Sequence, residues 1–153
     1  MLSVLLWVWG GCTYYFAEVL YKTLTGRPER ISWTMLALAI LLCIPLERCG
    51  AELPWGCPLW GQALICGTAV TAAELAAGLA LNLWLGLGVW DYSGMPGNLW
   101  GQICPQFAAL WCVVCLAAVP LFDWLRWAVL GGERPVYQVS IRRRRKNGER
   151  DAH

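Results

Sequence analysis

A glutamate lies inside the longest apolar run of this 153-residue chain. Thr71, Glu74, Gly78 and Asn82 are spaced by three and four residues, which places them on one face of a helix. An acidic group at the centre of a membrane span costs ~2.5–3.5 kcal/mol on insertion scales. Such a group is therefore a candidate site for a proton, an ion or a polar substrate. The alternative is an interhelical hydrogen bond that only fixes the packing of the helices.

A second acid, Glu18, lies near the end of the first apolar run and follows Tyr14 and Tyr15. It is a further candidate for the intramembrane polar site. Because its side chain can extend to the membrane surface, an interfacial position without a function is the alternative for Glu18.

A polar, turn-rich insert at positions 90–105 separates the last two apolar runs. Its glycines and proline favour turns, and its Asp, Ser and Asn side chains can bond the local backbone. One interpretation is an ordered hairpin at the membrane interface. The other is a lid whose Asp91, Asn98 and Gln102 meet a ligand above Glu74. The candidate residues of the insert are Trp90, Asp91, Tyr92, Ser93, Asn98 and Gln102.

Four apolar segments must position these residues, and we predict an all-α membrane bundle of four helices. The segments run from about 2 to 20, 32 to 46, 59 to 87 and 105 to 122. The second segment is short for a span, and Pro45 is expected to end it. Residues 1–130 then form the transmembrane domain, and residues 131–153 form a basic, partly disordered cytoplasmic tail.

The composition also favours a membrane protein. Hydrophobic residues make up 58% of the chain and charged residues 14%, whereas soluble domains carry about 25% charged residues. Many of the 11 tryptophans stand at the ends of apolar runs, where an indole ring suits the membrane interface. A tryptophan-rich soluble core is a poor explanation, because the apolar runs are too long for it.

The tail carries a basic run: Arg142, Arg143, Arg144, Arg145 and Lys146. Basic residues favour the cytoplasmic side of a membrane, so we predict that both termini are cytoplasmic. The first connection, with three basic residues, fits this orientation less well. The run is also expected to attract anionic lipid headgroups. Nucleic-acid binding is not predicted, because nothing aromatic or folded accompanies the run.

No catalytic or metal-binding motif is recognisable in the sequence. The single histidine is the last residue, which leaves no Ser-His-Asp set and no zinc-ligand spacing. A phosphate-binding G-x-x-x-x-G-K-[ST] loop is also absent from the sequence. We therefore predict no enzyme activity, no metal and no cofactor for this chain.

The combined motif resembles the bacterial membrane-protein family of ABC-transporter type IV permeases. Its residues are Glu74-x-x-x-Gly78, Asn82, Trp90-Asp91-Tyr92-Ser93, Pro96, Asn98, Gly101-Gln102-Ile103-Cys104 and Trp111. Gly11, Glu18, Ser32-Trp33-x-Met35, Asp123 and Glu133-x-Pro135-x-Tyr137 are similar as well. The resemblance extends nearly end to end with short members and implies a multi-helix integral membrane protein with a transport role. It implies no particular substrate.

From these observations we expect a permease-like transporter subunit in the cell membrane. ATP hydrolysis would then come from a separate ATPase chain, and self-association or another membrane subunit would complete a translocation path. The alternative is a non-transporting interaction or scaffold protein in which the polar stripe only orders the bundle.

Overall fold

A computed structural model describes residues 2–24, 26, 32–53, 57–131 and 134–137. This part of the chain is helical and contains no β-strand. Helix α1 spans Leu2–Leu24, α2 Trp33–Glu52, α3 Leu59–Gly78 and α4 Pro105–Leu130. A π-helical segment, Leu79–Trp84, continues α3. The prediction of an all-α fold with four helices is confirmed.

Helices α1, α2 and α4 are longer than the apolar segments indicated, and α2 and α4 each contain a proline. Helix α2 continues through Pro45 to Glu52, so the expectation that Pro45 ends this helix is corrected. Helix α4 likewise passes through Pro120. Proline removes one backbone hydrogen bond, but contacts with neighbouring helices can hold such a helix together in a membrane. In α2 the flanking Leu42 and Cys43 are buried, and Glu47 is bonded to α1.

The helices pack as two tight pairs, α1 with α2 and α3 with α4, and α2 joins the pairs by packing on α3 and α4. The larger core cluster lies where α2, α3 and α4 meet. Its buried members are Leu38, Leu42, Ala63, Cys66, Val70, Cys115 and Val119. A smaller cluster of Leu6, Cys43 and Phe122 joins α1 to α2 and α4. This arrangement places α3 and α4 side by side around the acid of the polar stripe.

Two helical stretches of the described chain are long and apolar enough to cross a membrane. They are Leu59–Trp84 and Pro105–Leu130, each 26 residues long. Only 28% and 22% of their most apolar windows are buried inside the protein. The core helix of a soluble protein would be mostly buried, so these exposed apolar surfaces favour a lipid environment.

Candidate functional site

Glu74 lies at the junction of α3, α4 and the loop 85–104, and only 5% of its surface is exposed. One carboxylate oxygen, Oε1, accepts a hydrogen bond from the Tyr92 hydroxyl at 3.0 Å. The other, Oε2, accepts one from the Trp111 indole Nε1 at 2.9 Å. We call these three residues the Glu74 centre. Both donors are uncharged, so they satisfy the lone pairs of the carboxylate without neutralising its charge.

The first turns of α4 position both donors. The ring of Tyr92 stacks on Phe107 with 4.6 Å between centroids and 13° between planes. Four residues further along α4, Trp111 also contacts Tyr14 of α1, with ring centroids 5.5 Å apart. Burial, followed by the charge of Glu74, raises the pKa of the Tyr92 phenol above its ordinary value. Tyr92 therefore stays protonated and remains a donor at neutral pH.

A second group of bonds ties the loop to the π-helical segment. The Asn82 amide donates to the Gln102 side-chain oxygen at 2.8 Å and to the Trp90 carbonyl at 3.0 Å. Its own oxygen accepts from the Val89 backbone N–H at 2.7 Å. The Trp90 indole donates to the Gln102 carbonyl at 2.9 Å. We call Asn82, Trp90 and Gln102 the loop junction, and it holds the loop against the π-helical segment about two turns beyond Glu74.

Gly78 allows this close approach. A Cβ atom built at Gly78 would lie 2.6 Å from the Gln102 side-chain oxygen and 2.9 Å from its Cβ. Such distances are too short for real side chains, so any larger residue here would push Gln102 away from Asn82. The predicted stripe of Glu74, Gly78 and Asn82 therefore faces the loop as well as a neighbouring helix.

The remaining candidates of the insert bond the loop itself. Asp91 accepts from the backbone N–H of Ser93 at 2.8 Å and from its hydroxyl at 2.5 Å. The Asn98 amide donates to the Met95 carbonyl at 2.8 Å, and its oxygen accepts from the Gly101 N–H at 2.9 Å. An isolated bridge pairs Leu99 with Ile103. These bonds make an ordered loop, whereas its position at a membrane interface stays a prediction.

Two predicted members of the intramembrane site lie apart from these bonds. The Thr71 hydroxyl donates to the Gly67 carbonyl of its own helix at 2.9 Å. Glu18 pairs with Lys22 at 2.6 Å, and 14% of its side chain is exposed. Its second oxygen, Oε2, is buried and has no hydrogen-bond partner in the described part of the chain. Glu18 follows Tyr14 by one helical turn, and Tyr14 is the α1 residue that contacts Trp111.

A further buried acid was missed because the sequence interpretation placed it in a connection after Pro45. Glu47 is 8% exposed and accepts hydrogen bonds from Ser3 at 3.2 Å and from the Trp7 indole at 2.9 Å. Ser3 and Trp7 stand four residues apart on α1, a spacing that puts two donors on one helix face. This spacing of Ser3 and Trp7 was the one feature of the sequence that could have indicated a buried acceptor on a helix packed against α1.

The described residues contain no cluster of three or more His, Cys, Asp or Glu that could hold a metal ion. The basic run, with Arg142, Arg143, Arg144, Arg145 and Lys146, lies outside the described residues. What the structure brings together is thus a buried carboxylate with neutral donors and a polar junction that fixes the adjoining loop.

The chain was compared with known proteins. No curated protein and no solved structure matches it significantly. A family model described as "Putative ABC-transporter type IV" matches residues 1–129, which include the four helices almost to the last residue of α4. The match confirms the resemblance found in the sequence, and it supports a membrane location and a relation to transport. Because the match covers most of the chain, this protein belongs to the ABC-transporter type IV family.

Proposed function

We propose that this chain is a permease-type subunit of an ABC transporter, with the Glu74 centre as its intramembrane polar site. The family supports the transport role. The single observation that carries the site is the burial of Glu74, whose hydrogen-bonding partners in the described part of the chain are a phenol and an indole. A buried carboxylate that is not matched by a cation is costly unless it takes up a proton or another positive group.

The loop offers a way to open this site. Tyr92 belongs to the loop, whereas Trp111 belongs to α4, so movement of the loop would release Oε1 while Trp111 still holds Oε2. The released oxygen could then bind a proton, a cation or a polar group of a substrate. The loop junction, which bonds the loop to the π-helical segment, would set how easily this opening occurs. π-Helical turns occur frequently at functional sites.

We propose four membrane spans with both termini in the cytoplasm. At 1.5 Å per residue, the 23 residues of α1 and the 20 of α2 reach about the ~30 Å of a bilayer core. Helix α1 also exposes large apolar side chains, among them Leu5, Trp9 and Phe16. These side chains would face lipid, as would those of α3 and α4.

The transporter would need further chains. We assign ATP hydrolysis to a separate ATPase subunit, since this sequence contains no phosphate-binding loop, and we assign no enzymatic reaction to this chain. Buried apolar side chains fill the space where α2, α3 and α4 meet, so we expect a path for a solute to lie between chains. Association with a second copy or with another membrane subunit would supply that path.

One observation favours a second candidate function, that of a non-transporting interaction protein. The Asn82 amide bonds Gln102 and Trp90, and the Asn98 amide bonds Met95, so both side chains already hold the loop in its fold. In this case the Glu74 centre and the loop junction would serve only to order the bundle, and the surface would carry the function.

Purification of the tagged full chain from its native membrane tests the proposal. The transporter function predicts a co-purifying ATPase subunit in a fixed ratio to this chain. Isolation of the chain alone, or as a homo-oligomer without an ATPase, would reject the transporter subunit and favour the interaction protein.

A further inference from the structure

A cavity of about 470 Å³ lies between the last turns of α4 and the segment 134–137. The chain reverses after α4 because Gly131 adopts the left-handed conformation (φ 68°) and its N–H bonds to the Trp127 carbonyl. The Tyr137 hydroxyl then donates to the Asp123 carboxylate, which fixes the returning segment beside the helix. The cavity is therefore built between two anchored walls.

The helical wall is aromatic and apolar. Leu121, Trp124 and Trp127 are three residues apart, and all three are substantially exposed. They lie in the last turns of a 26-residue apolar helix, and about 20 residues suffice to cross the bilayer core. Tryptophans at the end of such a helix mark the interface between acyl chains and headgroups. With α4 crossing the bilayer as proposed above, the cavity would open at the depth of lipid headgroups.

The opposite wall carries a cation. Arg134 lines the cavity, is exposed, and holds its guanidinium carbon 6.0 Å from the centre of the Trp127 ring. No carboxylate of the described residues pairs with this guanidinium. The nearby acid, Asp123, is 6% exposed, is bonded to Tyr137 and does not line the cavity. The cavity therefore combines a positive group on one wall with an apolar, aromatic surface on the helical wall.

From this geometry we infer that the cavity binds the headgroup of an anionic phospholipid, with Arg134 on its phosphate and the start of an acyl chain along Leu121. A guanidinium can donate two parallel hydrogen bonds to phosphate oxygens. An exposed tryptophan pair and Leu121 suit the glycerol and first methylenes, which a free phosphate ion lacks. This site is separate from the Glu74 centre, and it does not depend on the transport role.

Native mass spectrometry of the full chain, released from phosphatidylcholine nanodiscs containing some phosphatidylglycerol, tests the site. The wild type should retain phosphatidylglycerol in preference to phosphatidylcholine. Arg134→Gln should lower the retained fraction about fivefold, the change expected from ~1 kcal/mol per basic residue at an anionic surface. Arg134→Lys keeps the positive charge and should lose less.

Arg143→Gln is the matched control, because it removes one positive charge from the basic run and changes none of the described residues that line the cavity. It should reduce retention much less than Arg134→Gln. Equal losses in the two variants would show that the lipid responds only to overall charge and would overturn the site. Displacement of the lipid by millimolar inorganic phosphate would also overturn it, since the apolar part of the ligand would then contribute nothing.

Discussion

The indole of Trp111 in α4 donates a hydrogen bond to Glu74 in α3 across 2.9 Å, in the interior of the bundle. The bond links Glu74, the side chain of α3 that is most costly to bury, to α4, the helix that packs beside α3. The hydroxyl of Tyr92, in the loop 85–104, donates to the other oxygen of the same carboxylate. Helix α4 and the loop therefore bond the same side chain. The stability of the helix pair and the position of the loop are thereby linked through Glu74.

This linkage predicts that the two donors act together. Trp111→Phe and Tyr92→Phe should each destabilise the protein by ~1.5–3 kcal/mol, the range for hydrogen bonds to charged groups. The double variant should lose less than the two losses added, because both donors bond the same carboxylate and their effects are coupled. Unfolding in detergent measures these values. Trp33→Phe, at a site 76% exposed, is the control, and strict additivity would contradict the linkage.

Glu74 itself should tolerate glutamine better than leucine. A glutamine side chain keeps an acceptor for one donor, whereas leucine leaves the Trp111 N–H and the Tyr92 O–H unmatched, at about 1–3 kcal/mol for each buried group. We therefore expect Glu74→Leu to unfold at a lower temperature than Glu74→Gln. A leucine variant more stable than the wild type would contradict this prediction, because it would show that the buried carboxylate destabilises the fold despite its two hydrogen bonds.

Close packing at Gly78 gives a prediction for the loop. Gly78→Ala places a Cβ against Gln102 and should weaken the loop junction, with a loss of about 1–3 kcal/mol from overpacking. Amide hydrogen exchange in residues 89–103 should accelerate, because the bonds of Asn82 to Gln102 and Val89 would be strained. Gly94→Ala is the control, since nothing lies within 4 Å of its added Cβ. Equal exchange in the two variants would contradict the role of the junction.

The bond between Tyr137 and Asp123 predicts a dependence of stability on alkaline pH. Burial, followed by the hydrogen bond to Asp123, raises the pKa of Tyr137 above its ordinary value near 10. A raised pKa in the folded state stabilises the fold below pH ~10, and this contribution is lost as the pH rises further. The Tyr137→Phe variant has no phenol hydroxyl and therefore lacks this pH-dependent contribution to the free energy of unfolding. The stability difference between wild type and variant should thus be constant at neutral pH and shrink above pH ~10 in thermal unfolding; a pH-independent difference would contradict it.

Spacing alone was enough to predict which face of α3 is polar. Glu74 and Asn82 are eight residues apart, and regular helical geometry places such residues on one side. Their partners could not be predicted in the same way, because the path of the loop back along α3 depends on contacts such as Tyr92 with Phe107. Trp111 was visible only as part of a family motif. Thr71 shares the spacing, yet its hydroxyl bonds to its own helix.

Pro45 shows where the sequence interpretation was too strict. A proline is a strong stop signal in a soluble helix, so Glu47 was assigned to a connection. In this bundle α2 continues because Ser3 and Trp7 of α1 bond Glu47 and hold the turn beyond the proline. The positions of such long-range donors are not encoded in the local pattern around Pro45.

The most direct measurement of the central claim is the rate of ATP hydrolysis by the complex purified through this chain, with wild type and Glu74→Gln compared in nanodiscs. Thr68→Ala serves as the control, because the Thr68 side chain is exposed and its hydroxyl bonds the Leu64 carbonyl of the same helix. We predict that Glu74→Gln assembles normally but loses most of the hydrolysis, by about tenfold or more, the change that corresponds to ~1.4 kcal/mol. Hydrolysis by the Glu74→Gln complex at the wild-type rate would contradict a working polar site at Glu74.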